Sequence, residues 1–287
     1  MKKVIVIGSS NIDLVYQVMR LPQLGETIHG HDLVKLPGGK GLNQAIACSR
    51  VYDKTIFLGC LGNDKLFLDT FIKKEKLNTD YLLNSSTSTG SAIITLVNHD
   101  NTIVVIPGAN DEVSIDYIKA NIALFDKDTI VLLQNEIKQE TNEFIINYCF
   151  ENNIDVIYNP APARLINKEL LNKVTYFTPN ESEASLIFNE DNLETIIKAY
   201  PQKVIITMGS KGVIYYDQEV VNIKAMKIDV VDTTGAGDTL NGILAAYLAQ
   251  GYNLKDSLSY ATKGASYACL TLGAQAGMPA KDFLEKE

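Results

Sequence analysis

The chain has 287 residues, of which 46% are hydrophobic and 21% are charged, and its formal net charge is -8. This length and composition indicate a globular protein with ample chain for a full core. The acidic balance excludes nucleic acid as the main partner, because a face that binds phosphodiesters normally shows as a basic cluster. We also expect no membrane partner, since no apolar run approaches the length of a membrane span.

The four cysteines are scattered along the chain, and no pair has C-x-x-C spacing. This pattern predicts neither a zinc site nor a disulfide framework. The N-terminal apolar run VIVIG is short and precedes a polar loop, so we interpret it as a buried strand rather than a signal peptide. These features favour a cytoplasmic location.

Short β-branched runs alternate with helical stretches along most of the chain. Continuous apolar strands alternating with helices are typical of a mostly parallel sheet that helices cover on both faces. We therefore predict a doubly wound α/β fold. The predicted strands are KVIVIG, KTIFLGCLG, DTIVLLQ, IDVIYNPAP, VTYFTPN and KVIITMG, and segments such as GLNQAIACSRV and TNEFIINYCFENN have helical spacing.

Two segments break this alternation. Residues 12–36 lack a helical period, and residues 89–107 contain two apolar runs around NHDN, which predicts a hairpin. We interpret both segments as strands of a small separate sheet inserted into the fold. The predicted α/β core then comprises residues 1–11, 37–88 and 108–287.

Polar and glycine residues directly follow several of the predicted strands. Because ligands of open α/β sheets bind outside the carboxyl ends of the strands, these residues are candidates for one site. Each has a simpler explanation alone: Asp13 as a turn residue, Asn180 as a helix cap, and GSKG as a hairpin turn. Their joint placement favours a ligand site, and its candidates are Asn11, Asp13, Asn135, Glu136, Asn180, Glu183, Thr207, Gly209, Ser210 and Gly212.

The segment DTTGAGDTLNG places small residues and a carboxylate where a helix begins. If the helix begins at Asp238, the preceding Gly235, Ala236 and Gly237 can present unpaired N–H groups at the positive end of the helix dipole, as an anion site requires. Asp238 could simply cap the helix. Beside an anion site, however, it suits a base for an attacking hydroxyl, so the segment predicts phosphoryl transfer to an alcohol.

The segment PGGKGLNQA is a second glycine-rich loop before a helix. It is not a Walker A motif, because Val34 and Gly41 stand where that motif needs glycine and Ser or Thr. It is either a turn before a helix or, with Lys40, Asn43 and Asp13, part of a site for a polyhydroxylated ligand.

Nine short motifs occur in order along nearly the whole chain: GSSNID, PGGKGLNQA, STGSA, PGAN, NPAPA, TPNESEA, ITMGSKG, DTTGAGDTLNG and GAQAGMP. With these motifs the chain resembles the ribokinase-like carbohydrate kinases. The resemblance implies a doubly wound α/β domain with a small β lid, and lids that pair to form a homodimer. It also implies ATP-dependent phosphorylation of D-ribose at O5 to give D-ribose 5-phosphate.

The resemblance assigns a role to each matching residue. Asp238 corresponds to the catalytic base, and Gly235, Ala236 and Gly237 to the anion hole. Asn180 and Glu183 correspond to the motif that organises Mg²⁺ and phosphate, through water in keeping with the hydration of Mg²⁺. The sugar contacts, besides Asp238, are Asn11, Asp13, Gly39, Lys40, Asn43 and Glu136.

The resemblance also implies a nucleotide pocket and a K⁺ site. The chain departs from the family at Gly277, where serine is frequent, so a hydroxyl is missing and the loop gains backbone freedom. The nucleotide pocket corresponds to Thr207, Met208, Gly209, Ser210, Lys211, Gly212, Gly237 and Thr262. The K⁺ loops correspond to Asp232, Thr234, Ala268, Thr271, Gly273 and Gly277.

Two alternatives remain open from the sequence. A kinase of another furanose, of fructose or of a nucleoside would keep the fold and phosphate chemistry but differ in the lid and pocket side chains. A sugar-binding or regulatory protein without catalysis would not need Asp238, the loop glycines, Asn180 and Glu183, all of which are present.

Overall fold

The structure is a computed structural model that describes residues 1–75, 77–97 and 100–286. Its strands are β1 (Lys3–Ile7), β2 (Asn11–Gln17), β3 (His31–Gly38), β4 (Thr55–Leu58), β5 (Cys60–Leu61), β6 (Leu83–Asn84), β7 (Gly90–Val97), β8 (Asp100–Ile106), β9 (Thr129–Leu133), β10 (Asp155–Tyr158), β11 (Tyr176–Phe177), β12 (Ile206–Thr207), β13 (Val213–Asp217) and β14 (Glu219–Ile223). Its helices are α1 (Lys40–Val51), α2 (Leu66–Ile72), α3 (Ile115–Ala120), α4 (Gln139–Glu151), α5 (Glu169–Lys173), α6 (Glu181–Phe188), α7 (Leu193–Ala199), α8 (Ala236–Gln250), α9 (Leu254–Ala268) and α10 (Lys281–Leu284), with 3₁₀ turns at Gly108–Glu112, Ile122–Leu124 and Gly209–Lys211.

A parallel sheet in the order β11-β10-β9-β1-β4 forms the centre of the molecule. Successive residues of β1 point to opposite faces, as the alternation of a strand requires. Val4 and Val6 pack with α1, α8 and α9 on one face, whereas Ile5 and Ile7 pack with α3, α4 and α6 on the other. The sheet is therefore covered by helices on both faces, and the predicted doubly wound α/β class is confirmed.

The sheet is extended beyond β11 by a short antiparallel unit. Single parallel bridges join Phe177 to Val204 and Asn180 to Thr207, and the unit continues in the order β12-β13-β14. The end of β12 thus lies next to the start of α6, and the polar residues after these strands meet at one edge.

The small separate sheet has the order β3-β2-β7-β8, with β2 and β7 parallel and the outer pairs antiparallel. The predicted hairpin is present as β7 and β8, while Asn98 and His99 between them lie outside the described residues. Every residue of β8 is exposed, so this edge carries unpaired backbone groups and an apolar surface. The division into core and lid at the boundaries given above stays a prediction.

None of the helices in the described part of the chain combines the length and hydrophobicity that a membrane crossing requires.

Candidate active site

Helix α8 begins two residues earlier than we predicted. Gly235, in the left-handed conformation with φ of 78°, is the residue before the helix, and Ala236 is its first residue. Asp238 therefore lies inside the first turn and does not cap the helix. The reason is that a glycine with positive φ reverses the chain sharply enough to begin the helix without a side-chain cap.

The first turn of α8 presents an unfilled group of backbone donors. The N–H groups of Gly237 and Asp238 make no hydrogen bond to any described residue, as the first turn of a helix allows. A Cβ atom built on Gly237 would meet no atom within 4 Å, so open space adjoins this turn. Free donors, open space and the helix dipole together form a suitable anion site.

The carboxylate of Asp238 is held by two amides of α1. Asn43 Nδ2 donates to Oδ2 over 3.0 Å, and Gln44 Nε2 donates to Oδ1 over 3.0 Å. Asp238 is 7% exposed, and a nearby lysine, Lys40, has its pKa raised first of all by the charge of Asp238. The beginning of α1 and the first turn of α8 therefore meet at this carboxylate.

Glu136 binds the start of α1 through hydrogen bonds. Its Oε2 accepts from the backbone N–H of Lys40 over 2.9 Å and from Ser9 Oγ over 2.6 Å. Gly39 has φ of 90°, and a Cβ there would lie 2.7 Å from the Asn11 nitrogen, so this close crossing of β2 and the loop requires glycine. Residues that follow β1 and β9 thus meet the start of β2 and of α1, as the carboxyl-edge argument predicts.

Asp13 is an acid of the site whose pKa is strongly raised. Burial, then the charges of Glu136 and Asp238, raise its pKa to about 7, although Lys40 opposes this. Its Oδ1 is buried and has no hydrogen-bond partner among the described residues. A buried acceptor without a donor is costly, and a ligand hydroxyl would satisfy it.

Asn11 is 2% exposed and lies where β1 passes into the small sheet. Its Oδ1 accepts from Asn110 Nδ2 over 2.8 Å, and Asn110 Oδ1 accepts from the Ser10 N–H over 2.8 Å. The amide of Asn11 is therefore oriented with its Nδ2 left available. Asn110 belongs to the PGAN motif.

Asn180 and Glu183 form a capping box at the start of α6. Asn180 Oδ1 accepts from the Glu183 N–H over 2.8 Å, and Glu183 Oε2 accepts from the Asn180 N–H over 2.9 Å. The helix-cap explanation weighed for Asn180 is therefore present in the structure. Burial raises the pKa of Glu183, and the charges of Lys40 and Asp238 also act on it, so the pair faces the same site.

The ITMGSKG segment forms the turn between β12 and β13. Gly209 and Gly212 both have positive φ, and a Cβ on Gly212 would lie 2.0 Å from the Ile223 oxygen. Met208 and Ser210 lie within this turn, and Lys211 Nζ donates to Glu181 over 3.4 Å. Thr262 lies on α9 and has a buried Oγ1 without a partner among the described residues.

Asp232 organises the loop before the anion site. Its Oδ1 accepts from the N–H and hydroxyl of Thr234, and its Oδ2 accepts from the Gly273 N–H over 2.8 Å. Burial raises the pKa of Asp232, but these hydrogen bonds outweigh it and the pKa lies below its ordinary value. The described residues contain no group of three His, Cys, Asp or Glu side chains that could hold a metal.

Gly277 lies directly against the end of α9. A Cβ atom on Gly277 would lie 2.4 Å from the Ala268 carbonyl oxygen, so close packing, rather than freedom, explains the glycine. This corrects our expectation of a loosened loop. Thr271 is exposed on the intervening turn. The loop is also tied to Asp238, because Gln275 Nε2 donates to Asn43 Oδ1 over 2.9 Å.

Comparisons with known proteins identify the family of this chain. The model of the pfkB family carbohydrate kinases matches residues 1–281. The chain belongs to the pfkB family of carbohydrate kinases. A ribokinase of Lactococcus lactis subsp. lactis (strain IL1403) is 43% identical over 284 residues, which cover 97% of this chain and 94% of that protein.

Two solved structures show the same fold at similar length. The Thermotoga maritima ribokinase has 34% sequence identity and a TM-score of 0.86, covering 99% of this chain and 98% of that one. The Arabidopsis thaliana ribokinase complexed with ribose and ATP has 27% identity and a TM-score of 0.86, covering 100% and 99%. This pfkB protein is therefore a carbohydrate kinase by family.

Sequence reasoning missed the buried amides behind Asp238 in this pfkB kinase. Gln44 stands in the PGGKGLNQA motif, but only Gly39, Lys40 and Asn43 of that motif were assigned a role. Gln134 and Asn159 follow strands β9 and β10, in LLQNE and YNPAP. Their position directly after strands could have identified them, because the same position identified Asn135 and Glu136 as candidates.

Proposed function

We propose that this protein transfers the γ-phosphoryl group of ATP to the O5 hydroxyl of D-ribose, giving ADP and D-ribose 5-phosphate. The observation that carries the proposal is the Asp238 carboxylate, held by Asn43 and Gln44, next to the free N–H groups of Gly237 and itself. The ribokinase names of the relatives, and the relative complexed with ribose and ATP, support the choice of substrates.

In this mechanism Asp238 takes the proton from the O5 hydroxyl as that oxygen attacks the γ-phosphorus. The bond from phosphorus to the β-phosphate oxygen breaks, and its electron pair leaves with ADP. Gly235, Ala236 and Gly237 shape the turn whose N–H groups stabilise the negative charge on the transferring group. The small side chains matter because the backbone donors must approach the phosphate closely.

The sugar is bound by groups already oriented in the free protein. Asp13 Oδ1, which lacks a donor, accepts a sugar hydroxyl, and Asn11 offers its free Nδ2. Glu136 uses Oε2 to hold α1 and so keeps Oε1 for the sugar. Lys40 and Asn43 complete the set, and Gly39 lets the loop come near enough.

Asn180 and Glu183 fit Mg²⁺ only in part, because one oxygen of each is occupied in the capping box. They would hold the ion through water, which suits its strong hydration. The bound ion supplies charge neutralisation at the phosphates. Glu183 Oε1 remains available, and burial already disfavours its charge, so a nearby cation would be favourable.

The K⁺ site would combine the Asp232 carboxylate with backbone oxygens of Thr234, Ala268, Thr271, Gly273 and Gly277. The fit rests on Asp232, whose hydrogen bonds keep it ionised beside this loop. The nucleotide pocket would be formed by the turn between β12 and β13 together with two further residues. These residues are Thr207, Met208, Gly209, Ser210, Lys211 and Gly212 of the turn, and Gly237 and Thr262.

A homodimer through the lid would cover strand β8. Ile103, Val104, Val105 and Ile106 are 54%, 60%, 45% and 46% exposed, and β8 has a free edge in the described sheet. An exposed apolar edge strand is a liability that pairing removes. A cytoplasmic location suits the four cysteines, all buried free thiols.

The test is a substrate panel. Purified protein with ATP and Mg²⁺ is assayed for ADP release with D-ribose, 2-deoxy-D-ribose, D-fructose and adenosine, and the product is examined by ³¹P NMR. We expect the highest kcat/KM with ribose and a phosphate on O5. Turnover of fructose or adenosine without turnover of ribose would contradict the substrate assignment, and no turnover of any would favour a binding protein.

A further inference from the structure

Gln44 is completely buried next to the proposed base. Its side chain has 0% exposure, so it cannot touch sugar or nucleotide, yet its Nε2 donates to Asp238 Oδ1 over 3.0 Å. We infer that Gln44 is a positioning residue, which fixes the orientation of the Asp238 carboxylate for proton transfer. This inference rests on the proposed function of Asp238.

The orientation of the Gln44 amide is determined by its neighbours. Asn159 Nδ2 donates to the Thr178 carbonyl over 2.8 Å, so Asn159 Oδ1 faces Gln44 and accepts from its Nε2 over 3.1 Å. On the other side Gln134 Nε2 donates to Gln44 Oε1 over 2.7 Å. Reversing the Gln44 amide would place oxygen against the oxygens of Asp238 and Asn159.

This chain of amides connects Asp238 to the rigid part of the fold. Gln134 and Asn159 directly follow the central strands β9 and β10, and both are buried. Thr178 follows β11 and donates its hydroxyl to Asn241 of α8 over 2.6 Å. A base that must meet a hydroxyl within hydrogen-bond reach benefits from such a support, because small displacements reduce the rate strongly.

Asn43 and Gln44 divide the two oxygens of Asp238 between them. Asn43 is 5% exposed, belongs to the proposed sugar contacts and is linked through Gln275 to the loop of the proposed K⁺ site. Gln44 has no such exposure. Loss of Gln44 should therefore alter the chemical step and leave sugar binding nearly intact, whereas loss of Asn43 should alter both.

The first test compares Gln44→Met with a control, Thr129→Val. Thr129 is also a completely buried polar residue, and its Oγ1 donates to Asp126 Oδ1 over 3.0 Å at the start of β9, the end of that strand opposite Gln134. We expect Gln44→Met to lower kcat on the order of 10-fold to 100-fold, the scale of one hydrogen bond to a charged group, while the ribose KM changes by less than about 2-fold. Thr129→Val should keep kcat within about 2-fold of the wild type, despite a fall in Tm.

The second test uses Gln44→Glu, which keeps the size of the side chain but donates only when the introduced carboxyl is protonated. The titratable groups that face Asp238 are Asp13, Lys40 and Glu183, and they are unchanged in this variant. We expect the ratio of variant to wild-type kcat to rise as the pH falls from 8 to 6. A purely structural role would give a ratio independent of pH.

The outcomes separate this inference from the proposed function. A wild-type protein without sugar kinase activity would contradict the proposed function itself. With an active wild type, a Gln44→Met kcat equal to that of Thr129→Val, or equal falls in kcat and sugar affinity, would overturn the role of Gln44 alone. If Gln44→Met does not fold, a pH-independent ratio for Gln44→Glu overturns it.

Discussion

Gly235 packs against the backbone of Ala274, so closely that a Cβ atom on Gly235 would lie 2.5 Å from the Ala274 carbonyl oxygen. Gly235 also has φ of 78°, which a residue with a side chain rarely adopts. This contact joins the turn before α8 to the loop of the proposed K⁺ site. The same segment contains Gly237, whose Cβ position faces open space.

Substitutions at Gly235 and Gly237 should therefore affect stability and catalysis differently. Gly235→Ala should displace the loop and lower both Tm and kcat. Gly237→Val should keep Tm near that of the wild type, because it meets no protein atom, but lower kcat/KM by on the order of 100-fold as its side chain blocks the phosphate. Calorimetry measures the Tm of each variant, and steady-state kinetics measure its kcat and KM. Near-normal kinetics of Gly237→Val would remove this turn from the phosphate site.

Asp13 should make sugar binding and stability depend on pH. Burial and the charges of Glu136 and Asp238 raise its pKa to about 7, so it is protonated below that pH and loses part of its acceptor capacity. The ribose Kd should therefore increase as the pH falls below about 7. Titration calorimetry between pH 5.5 and 8.5 measures it, and a Kd independent of pH would contradict the role.

The pH dependence of stability at Asp13 has the opposite sign to that of ribose binding, because stability decreases as the pH rises. Between the ordinary pKa of 3.8 and the folded value of about 7, the folded protein retains a proton that the unfolded chain releases, so the stabilising contribution is present below 3.8 and is lost as the pH rises through 7. Asp13→Asn should match the wild-type Tm near pH 4 and exceed it at pH 8, by on the order of 5 °C. Asp53→Asn, on an exposed site, is the control and should show no such difference.

K⁺ should increase turnover several-fold over Na⁺ at equal ionic strength, because an ion at Asp232 would fix the neighbouring anion site. Asp232→Ala should abolish most of the difference. Gly277→Ser should reduce it, since a side chain at this position meets the Ala268 oxygen at 2.4 Å. Equal kcat in both salts, at saturating ATP and ribose, would show that this loop holds no activating ion.

Strand β8 should mediate dimer formation. Val104→Glu places a charge on its exposed apolar surface and should convert a dimer to a monomer in light scattering. Leu66→Glu, at an exposed leucine of α2, is the control and should leave the mass unchanged. A monomeric wild type, or a Val104→Glu dimer, would contradict an interface at this strand.

The sheet and the polar residues at its carboxyl edge could be predicted from the sequence, because apolar periodicity and the position after strands are local signals. That rule brought Asp13 and Glu136 together, whereas Lys40 was proposed from the glycine-rich loop before α1. The start of α8 was not predicted correctly, since Asp is a frequent cap and the left-handed conformation of Gly235 depends on Ala274, far along the chain.

The role of Gln44 could not be found from local patterns either. Its partners Gln134, Asn159 and Asp238 are separated from it by 90, 115 and 194 positions, so only the folded chain shows that the four form one network. Gly277 could not be explained from local patterns either, because the space for a side chain there is occupied by the end of α9.

The most direct test of the account is the kcat of Asp238→Asn with ribose and ATP, measured beside Asp53→Asn. The substitution keeps the size of the side chain and removes the base, so kcat should fall by about 100-fold or more. The protein should remain folded at the assay temperature, with a lower Tm because one of the two amide donors, Asn43 or Gln44, loses its acceptor. A folded Asp238→Asn protein that turns over at the wild-type rate would contradict the proposal that Asp238 is the base.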